Sequence, residues 1–297
     1  MEFSAYPTRD EARAYIRALL LPRKQESHKG DHGRAALACG SSLYAGAALL
    51  AAEGTLRMGA GLTYLYSSAE TVAAARVRLP ELICRVMPPI TEDFDAYLPY
   101  VSTADACLVG CGIGQEGNTA AFCRAMVEFL STRGGPAVLD ADALNLLARQ
   151  GAKDILKNAK REVILTPHEM EFSRLSGLSL ENIHADRVGS ACAFASEVGV
   201  TVLLKGADSV IARRDGGFTV CPSGSPALAK GGTGDVLAGM LVGLLAGGLA
   251  PEAAVFAAAY LHGEGGEALS HRYSERGILP SELAGASAEI LCEILTK

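Results

Sequence analysis

The stretch Ala229-Lys230-Gly231-Gly232-Thr233-Gly234-Asp235 runs directly into a long apolar segment. Three glycines let a backbone turn tightly and present N–H groups to a ligand, and a helix start adds partial positive charge. Together, Gly232, Thr233 and Gly234 read as an anion hole suited to phosphate transfer. Asp235, at its edge, can accept a proton from a hydroxyl as that oxygen becomes a nucleophile. The plainer alternative is a turn whose following helix is capped by Asp235. The segment is neither a GxxxxGK(S/T) phosphate loop nor a GxGxxG dinucleotide fingerprint.

Four other segments carry groups that chemistry can use. In Thr166-Pro167-His168-Glu169-Met170-Glu171, proline stops a strand and sets up a helix. His168 and Glu171 then lie about one turn apart: His168 can bind a ligand or move a proton, and Glu171 can orient Mg²⁺ through water. The alternative is a capping histidine and a first-turn carboxylate. Lys205-Gly206-Ala207-Asp208-Ser209 ends one strand and starts another, so it can hold a nucleotide with Lys205 near the phosphates, or be an ordinary turn. Gly110-Cys111-Gly112-Ile113-Gly114 permits close approach of a ligand or a tight strand–helix turn. His28-Lys29-Gly30-Asp31-His32-Gly33-Arg34 reads as a phosphate contact or a surface turn. His184, His262 and His271 receive no role.

These motifs need elements to hold them, and the hydrophobic pattern supplies short β-like runs alternating with helical ones. Strands are expected at 35–39, 62–66, 82–87, 106–109, 137–139, 163–165, 201–204, 209–212 and 218–221. Helices are expected at 8–20, opened by the Thr8-x-x-Glu11 capping box, and at 46–58, 69–78, 119–131 and 143–149. Two more should fill 169–198, and three should fill 234–249, 251–269 and 281–295. This alternation predicts an α/β fold with a mainly parallel sheet covered by helices on both faces, over a single domain 1–297. In such sheets ligands bind beyond the carboxyl ends of the strands, where the polar and glycine-rich motifs fall.

Composition narrows the classes. The 297 residues carry 27 Lys+Arg against 33 Asp+Glu, a formal charge of −6, which argues against nucleic acid as a partner. A small anion held by backbone amides is not excluded. No secretory pattern opens the chain, and the apolar run 236–250 is shorter than the roughly 18–20 residues of a membrane span. Gly239, Gly243 and Gly247 recur every fourth residue in it, which reads as a buried helix that another element approaches closely. The eight cysteines form no CxxC pair and read as reduced core residues of a cytoplasmic protein. Metal binding by Cys107 and Cys111 receives little weight, because no Cys/His pair has zinc spacing.

Taken in order, HKGDHGR, SLYAGAALLAAEGTLRMGAGL, VLDADALNLL, ILTPHEMEF, LLKGADSVIA and ALAKGGTGDVLAGM resemble the ADP-dependent NAD(P)H-hydrate dehydratase family of the ribokinase-like superfamily. The resemblance runs from about His28 to Leu295. It implies a ribokinase-like fold and repair of (6S)-NADHX or NADPHX to NADH or NADPH, with release of AMP and phosphate. By this resemblance Ala47, Gly112, His168 and Asp235 match substrate-binding positions. Lys205, Gly206, Ala207, Asp208, Ser209 and Gly234 match nucleotide-binding positions. Asp235 is the catalytic residue, ADP the phosphoryl donor and Mg²⁺ its metal, with Glu171 in the metal's water shell. The resemblance also implies a homotetramer and, with no room for an epimerase domain, a separate NAD(P)HX epimerase in the same pathway. Cys111, Glu169, Met170 and Asp208 depart from the usual pattern. A small-molecule kinase of the same superfamily and a silent nucleotide-binding regulator are the rival readings.

Overall fold

A computed structural model describes residues 4–87, 101–115, 121, 123, 125–129 and 135–296. Nine strands form one sheet: β1 (Arg34–Ala38), β2 (Leu62–Ser67), β3 (Ile83–Val86), β4 (Ala106–Val109), β5 (Ala137–Leu139), β6 (Val163–Leu165), β7 (Thr201–Leu204), β8 (Val210–Ala212) and β9 (Phe218–Val220). Their order is β3-β2-β1-β4-β5-β6-β7-β8-β9. β1 to β7 are parallel, whereas β8 and β9 return antiparallel. The short connection 205–209 explains the change, because a parallel crossover needs a dozen residues or more.

The helices are α1 (Arg9–Leu19), α2 (Ala45–Arg57), α3 (Ala69–Arg78), α4 (Asp142–Arg149), α5 (Ala152–Lys157), α6 (Glu169–Ser176), α7 (Leu180–Ala185), α8 (Arg187–Val198), α9 (Thr233–Ala246), α10 (Pro251–Gly277) and α11 (Pro280–Thr296). The capping box opens α1 as expected. Three helices, not two, occupy 169–198: Gly177 takes a left-handed C-cap after α6, and Ser179 and Asp186 each cap a new start. α5 was not anticipated, and α10 runs past 269 with a break at Ser274. The helix expected at 119–131 lies partly outside the described residues, and 125–129 are helical.

Alternate residues of each strand feed two apolar cores. Ala35, Leu37, Leu108, Val138, Ile164 and Leu203 face α2, α9, α10 and α11. Ala36, Ala38, Val109, Leu139, Leu165 and Leu204 face α4, α6 and α8. Cys107 and Cys111 fall in opposite cores, so they cannot share a ligand. All eight cysteines are free; five are buried, and Cys292 is exposed.

The apolar segment after the glycine-rich motif is α9, buried along most of its length. A Cβ on Gly239 would strike the Ala51 carbonyl oxygen, and one on Gly243 would lie 2.6 Å from that of Thr55. Thr55 Oγ1 donates to the Gly239 carbonyl at 3.0 Å. Small residues therefore bring α2 and α9 backbone to backbone, as the spacing predicted for Gly239 and Gly243. Gly247 is the α9 C-cap. Among the described residues no helix is long and apolar enough to cross a membrane.

Candidate active site

Parallel strands all end at one edge. β1, β4, β5, β6 and β7 deliver there, in turn, Cys39-Gly40, Gly110-Cys111, Asp140, Thr166-Pro167-His168 and Lys205. α9 brings its amino terminus to the same place. Its N-cap, Gly232, has φ +101°, a left-handed conformation that favours glycine. A Cβ on Gly234 would sit 3.3 Å from Lys205 Nζ, so the ammonium lies against the start of this helix. The first-turn amides of a helix lack intrahelical partners, so that of Gly234 is available to an anion. Thr233 plays a different part from the glycines: its hydroxyl donates to the carbonyls of Leu228 or Lys230, at 2.8 and 2.9 Å, and its amide to that of Lys230. Lys230 turns away, donating to the Arg276 and Ile278 carbonyls.

Asp235 does not serve as a cap. Its carboxylate faces Cys111 and Asp140, and one ligand atom from each of the three lies within 4.8 Å of the others. Burial first, then the neighbouring Asp140 charge, pushes the Asp235 carboxyl up to about 7. Asp140 is buried and fully engaged: Thr166 Oγ1 and Lys205 Nζ each donate to its Oδ1 at 2.8 Å. Burial opposes the Lys205 charge, but Asp140 and Glu171 outweigh it and hold the ammonium above its ordinary value. Lys205 is thus a charge bridge from β7 to β5, rather than a solvated turn lysine.

His168 caps α6. Its Nδ1 accepts from the Met170 amide at 3.1 Å, and Glu171 Oε2 accepts from the His168 amide at 2.9 Å. The plainer capping alternative is therefore what the side chains do, and it fixes Nδ1 as the acceptor. The half-exposed ring's Nε2 then carries the proton and lies 3.4 Å from Glu171 Oε1. Burial and the Lys205 charge lower the His168 pKa, so the ring is neutral near pH 7. Burial, the largest cause, raises the Glu171 carboxyl to about 7.

Ala47 and Gly112 meet on the other side of Cys111. Gly112 has φ +62°, and a Cβ there would lie 2.7 Å from Ala47 Cβ and 2.8 Å from Tyr44 Cβ. The Ser41 hydroxyl holds this approach by donating to the Gly112 carbonyl at 2.9 Å. Gly206, Ala207 and Asp208 form an exposed loop beyond Lys205, and Ser209 Oγ closes it on Gly206. His28–Arg34 precedes β1 and so stands at the opposite end of the sheet, where Gly61 and Leu62 pair with its backbone. Its surface-turn alternative is the one realised.

Four residues received no role from the sequence. Asp140 was legible, since an acid directly after a parallel strand faces the ligand edge. Thr166 follows from the same rule. Arg187 supports the loop after β7: it pairs with Glu169 and donates to the Leu204 and Lys205 carbonyls at 3.4 and 3.3 Å. His262 donates Nε2–H to the Thr233 carbonyl at 2.9 Å, and burial pushes its pKa down to about 4. Both are set by packing between distant helices, and no local spacing announces them.

A mainly parallel α/β sheet with an acid and a glycine-rich helix start at its carboxyl edge fits the ribokinase-like class. An Enterococcus faecalis ribokinase-like superfamily protein shares the fold at TM-score 0.86 and 24% identity, covering 100% of this chain and 99% of that one. The family model for NAD(P)H-hydrate dehydratase matches residues 35–288, and the chain belongs to that family. The ADP-dependent (S)-NAD(P)H-hydrate dehydratase of Bacillus subtilis is 35% identical over 275 residues, 91% of this chain and 93% of that protein. The crystal structure of the B. subtilis ADP/ATP-dependent NAD(P)H-hydrate dehydratase, co-crystallised with ATP/Mg²⁺, superposes with TM-score 0.81 at 31% identity, covering 95% and 97% of the two chains. A bifunctional NAD(P)H-hydrate repair enzyme of Gloeobacter violaceus is 39% identical over 281 residues, 93% of this chain and 52% of that protein. The chain spans about half the length of the bifunctional relatives it matches.

Proposed function

We propose that this protein dehydrates (6S)-NADHX or NADPHX to NADH or NADPH, with ADP as phosphoryl donor and AMP and phosphate as products. The observation that carries the reading is a carboxyl with a pKa of about 7 at the mouth of an anion-binding helix start. A general base works best when its pKa lies near the working pH. Asp235 takes the proton of the ring hydroxyl, whose oxygen then attacks the terminal phosphorus of ADP and displaces AMP. The amides at Gly232 and Gly234 stabilise the negative charge of the transferring group. Phosphate is a far better leaving group than hydroxide. It departs as the ring nitrogen lone pair pushes, and loss of a proton from the neighbouring carbon restores the double bond.

Lys205 carries positive charge beside Gly234 and so balances the donor phosphates, while Gly206 to Ser209 hold the nucleotide. Ala47 and Gly112 leave room for the flat nicotinamide ring, and the neutral His168 donates from Nε2. Mg²⁺ suits this site through Glu171. Burial raises this carboxyl to about 7, and an oxygen donor acting through water is what magnesium accepts. The Cys111, Asp140 and Asp235 trio does not suit it: a hydrogen bond with Cys39, then burial and neighbouring acids, keep the Cys111 thiol protonated, and Asp140 is already engaged. When bound, the metal neutralises charge on the nucleotide phosphates. The reading includes a homotetrameric, cytoplasmic enzyme supplied by a separate epimerase. The bifunctional relatives support a coupled epimerase activity by their names and their length.

The test follows near-ultraviolet absorbance of hydrated NADH with the purified protein, Mg²⁺ and either ADP or ATP. Recovery with ADP and release of AMP is expected. Recovery with ATP alone overturns the donor. A stable phosphorylated product instead favours a small-molecule kinase, and no reaction with either nucleotide overturns the assignment.

A further inference from the structure

A cavity of about 440 Å³ opens between α4 and α6, lined by Gln115, Asn145, Ala148, Arg149 and Arg174. It adjoins the candidate active site at two points. Gln115 follows the turn that carries Gly112, and Asp142 at the start of α4 ties both together: it accepts from the Gly114 amide at 2.9 Å and from Gln115 Nε2 at 2.7 Å. Arg174 lies close enough to lower the pKa of both His168 and Glu171. The cavity then descends along α4, whose seven steps from Asp142 to Arg149 span about 10 Å.

Its charge is unbalanced. Arg149 has no carboxylate partner within ion-pair distance among the described residues, and neither does Arg174. Arg174 Nη1 donates to the neutral Asn145 Oδ1 at 2.8 Å. Asn145 is itself fixed, donating Nδ2–H to the Ala141 carbonyl at 3.2 Å. One guanidinium is therefore oriented by a neutral partner, the second lines the same cavity, and both arginines are exposed. Arginines left in this state at a cavity suit a phosphate, which a planar guanidinium grips through two parallel hydrogen bonds.

Resting on the proposed function, we propose that this cavity is a phosphate subsite for the hydrated dinucleotide, gripped by Arg149 and Arg174. The substrate's reacting ring lies at Asp235 and Gly112, so the remainder must leave the catalytic centre. The groove past Gln115 leads it to the two arginines. The donor nucleotide does not compete for this path, since its candidate loop, Gly206 to Ser209, follows β7, two strands beyond β5. The phosphate that enters is either the pyrophosphate common to both substrates or the 2′-phosphate that only NADPHX carries.

The experiment compares KM for NADHX, NADPHX and ADP in the wild type, in Arg149→Gln, in Arg174→Gln and in the double variant. Arg174→Lys retains charge without the fork. Each arginine in ligand contact is expected to contribute several-fold, and the double variant about tenfold or more, to the dinucleotide KM. A rise for both substrates assigns the pyrophosphate, and a rise for NADPHX alone assigns the 2′-phosphate. Unchanged dinucleotide KM values, or an equal rise for ADP, overturn the subsite. Calorimetry with NADP⁺ on wild type and double variant reads the cavity without turnover: weaker binding in the variant supports it, and equal binding overturns it. Absence of turnover in the wild type would instead count against the proposed function.

Discussion

Replacing Asp140 with asparagine should move the acidic limb of the pH–rate profile to lower pH. Asp235 must be ionised to act as a base, so the rate rises with pH through its pKa of about 7. After burial, the Asp140 charge is the largest cause holding that value up. Two unit charges within 4.8 Å repel by roughly 3 kcal/mol at an effective dielectric of about 20. Lys205, bound to Asp140 at 2.8 Å, cancels much of this. A net effect of about 1.4 kcal/mol remains, or about one pH unit. The freed Lys205 ammonium then turns to Asp235 and pushes in the same direction. At pH 6 the ionised fraction of Asp235 climbs from about one tenth to about one half, so the rate relative to its own plateau rises about fivefold. Plateau turnover falls, because a weaker base accepts the proton less readily. The assay is absorbance recovery of hydrated NADH from about pH 5 to pH 9. Glu171 titrates in the same window, so the series is repeated in Glu171→Gln. A limb that stays in place in Asp140→Asn, or moves upward, refutes the reasoning. A limb that vanishes in Glu171→Gln shows that Asp235 does not own it.

Asp235→Asn should lower turnover by about 10²–10⁴, the range general base catalysis supplies, while leaving ADP binding measurable by calorimetry. The same variant should be more stable than wild type by on the order of 1–2 kcal/mol at pH 8 and equal to it near pH 3. A carboxyl whose folded pKa is raised stabilises the fold only while protonated, and this contribution is lost as pH rises from about 4 to about 7. Thermal melting across that range reads the difference. Gly239→Ala places a methyl group against the Ala51 carbonyl, forces α2 from α9 and should cost about 1–3 kcal/mol or more in denaturant unfolding.

Much of this architecture is written locally. Short apolar runs with turns between them mark strands, because burial on both faces leaves no polar alternation. All nine strands fall within two residues of their expected bounds. The helix count over 169–198 fell short because α7 has only six residues, too few for hydrophobic periodicity to register. Its ends are decided by Gly177 and by caps at Ser179 and Asp186. The antiparallel return of β8 and β9 was implicit in the short connections 205–209 and 213–217, which hold too few residues for a crossover helix.

The amino-acid sequence by itself determined which candidate residues stand together and in which loops they lie. Glycine spacing, a proline after a strand and an acid after three glycines are local facts, and local sterics and capping act on them directly. Only the tertiary structure decided what each group is paired with. Lys205 reads as a solvated turn lysine or a phosphate contact until β7 is seen two strands from β5, with Asp140 waiting at 2.8 Å. Asp235 reads as a helix cap until Cys111 and Asp140, 124 and 95 residues earlier in the chain, close on it and raise its pKa to about 7. The reason is physical: pKa and charge balance depend on burial and on the distance to other charges, and the sheet sets both by bringing remote strand ends to one edge.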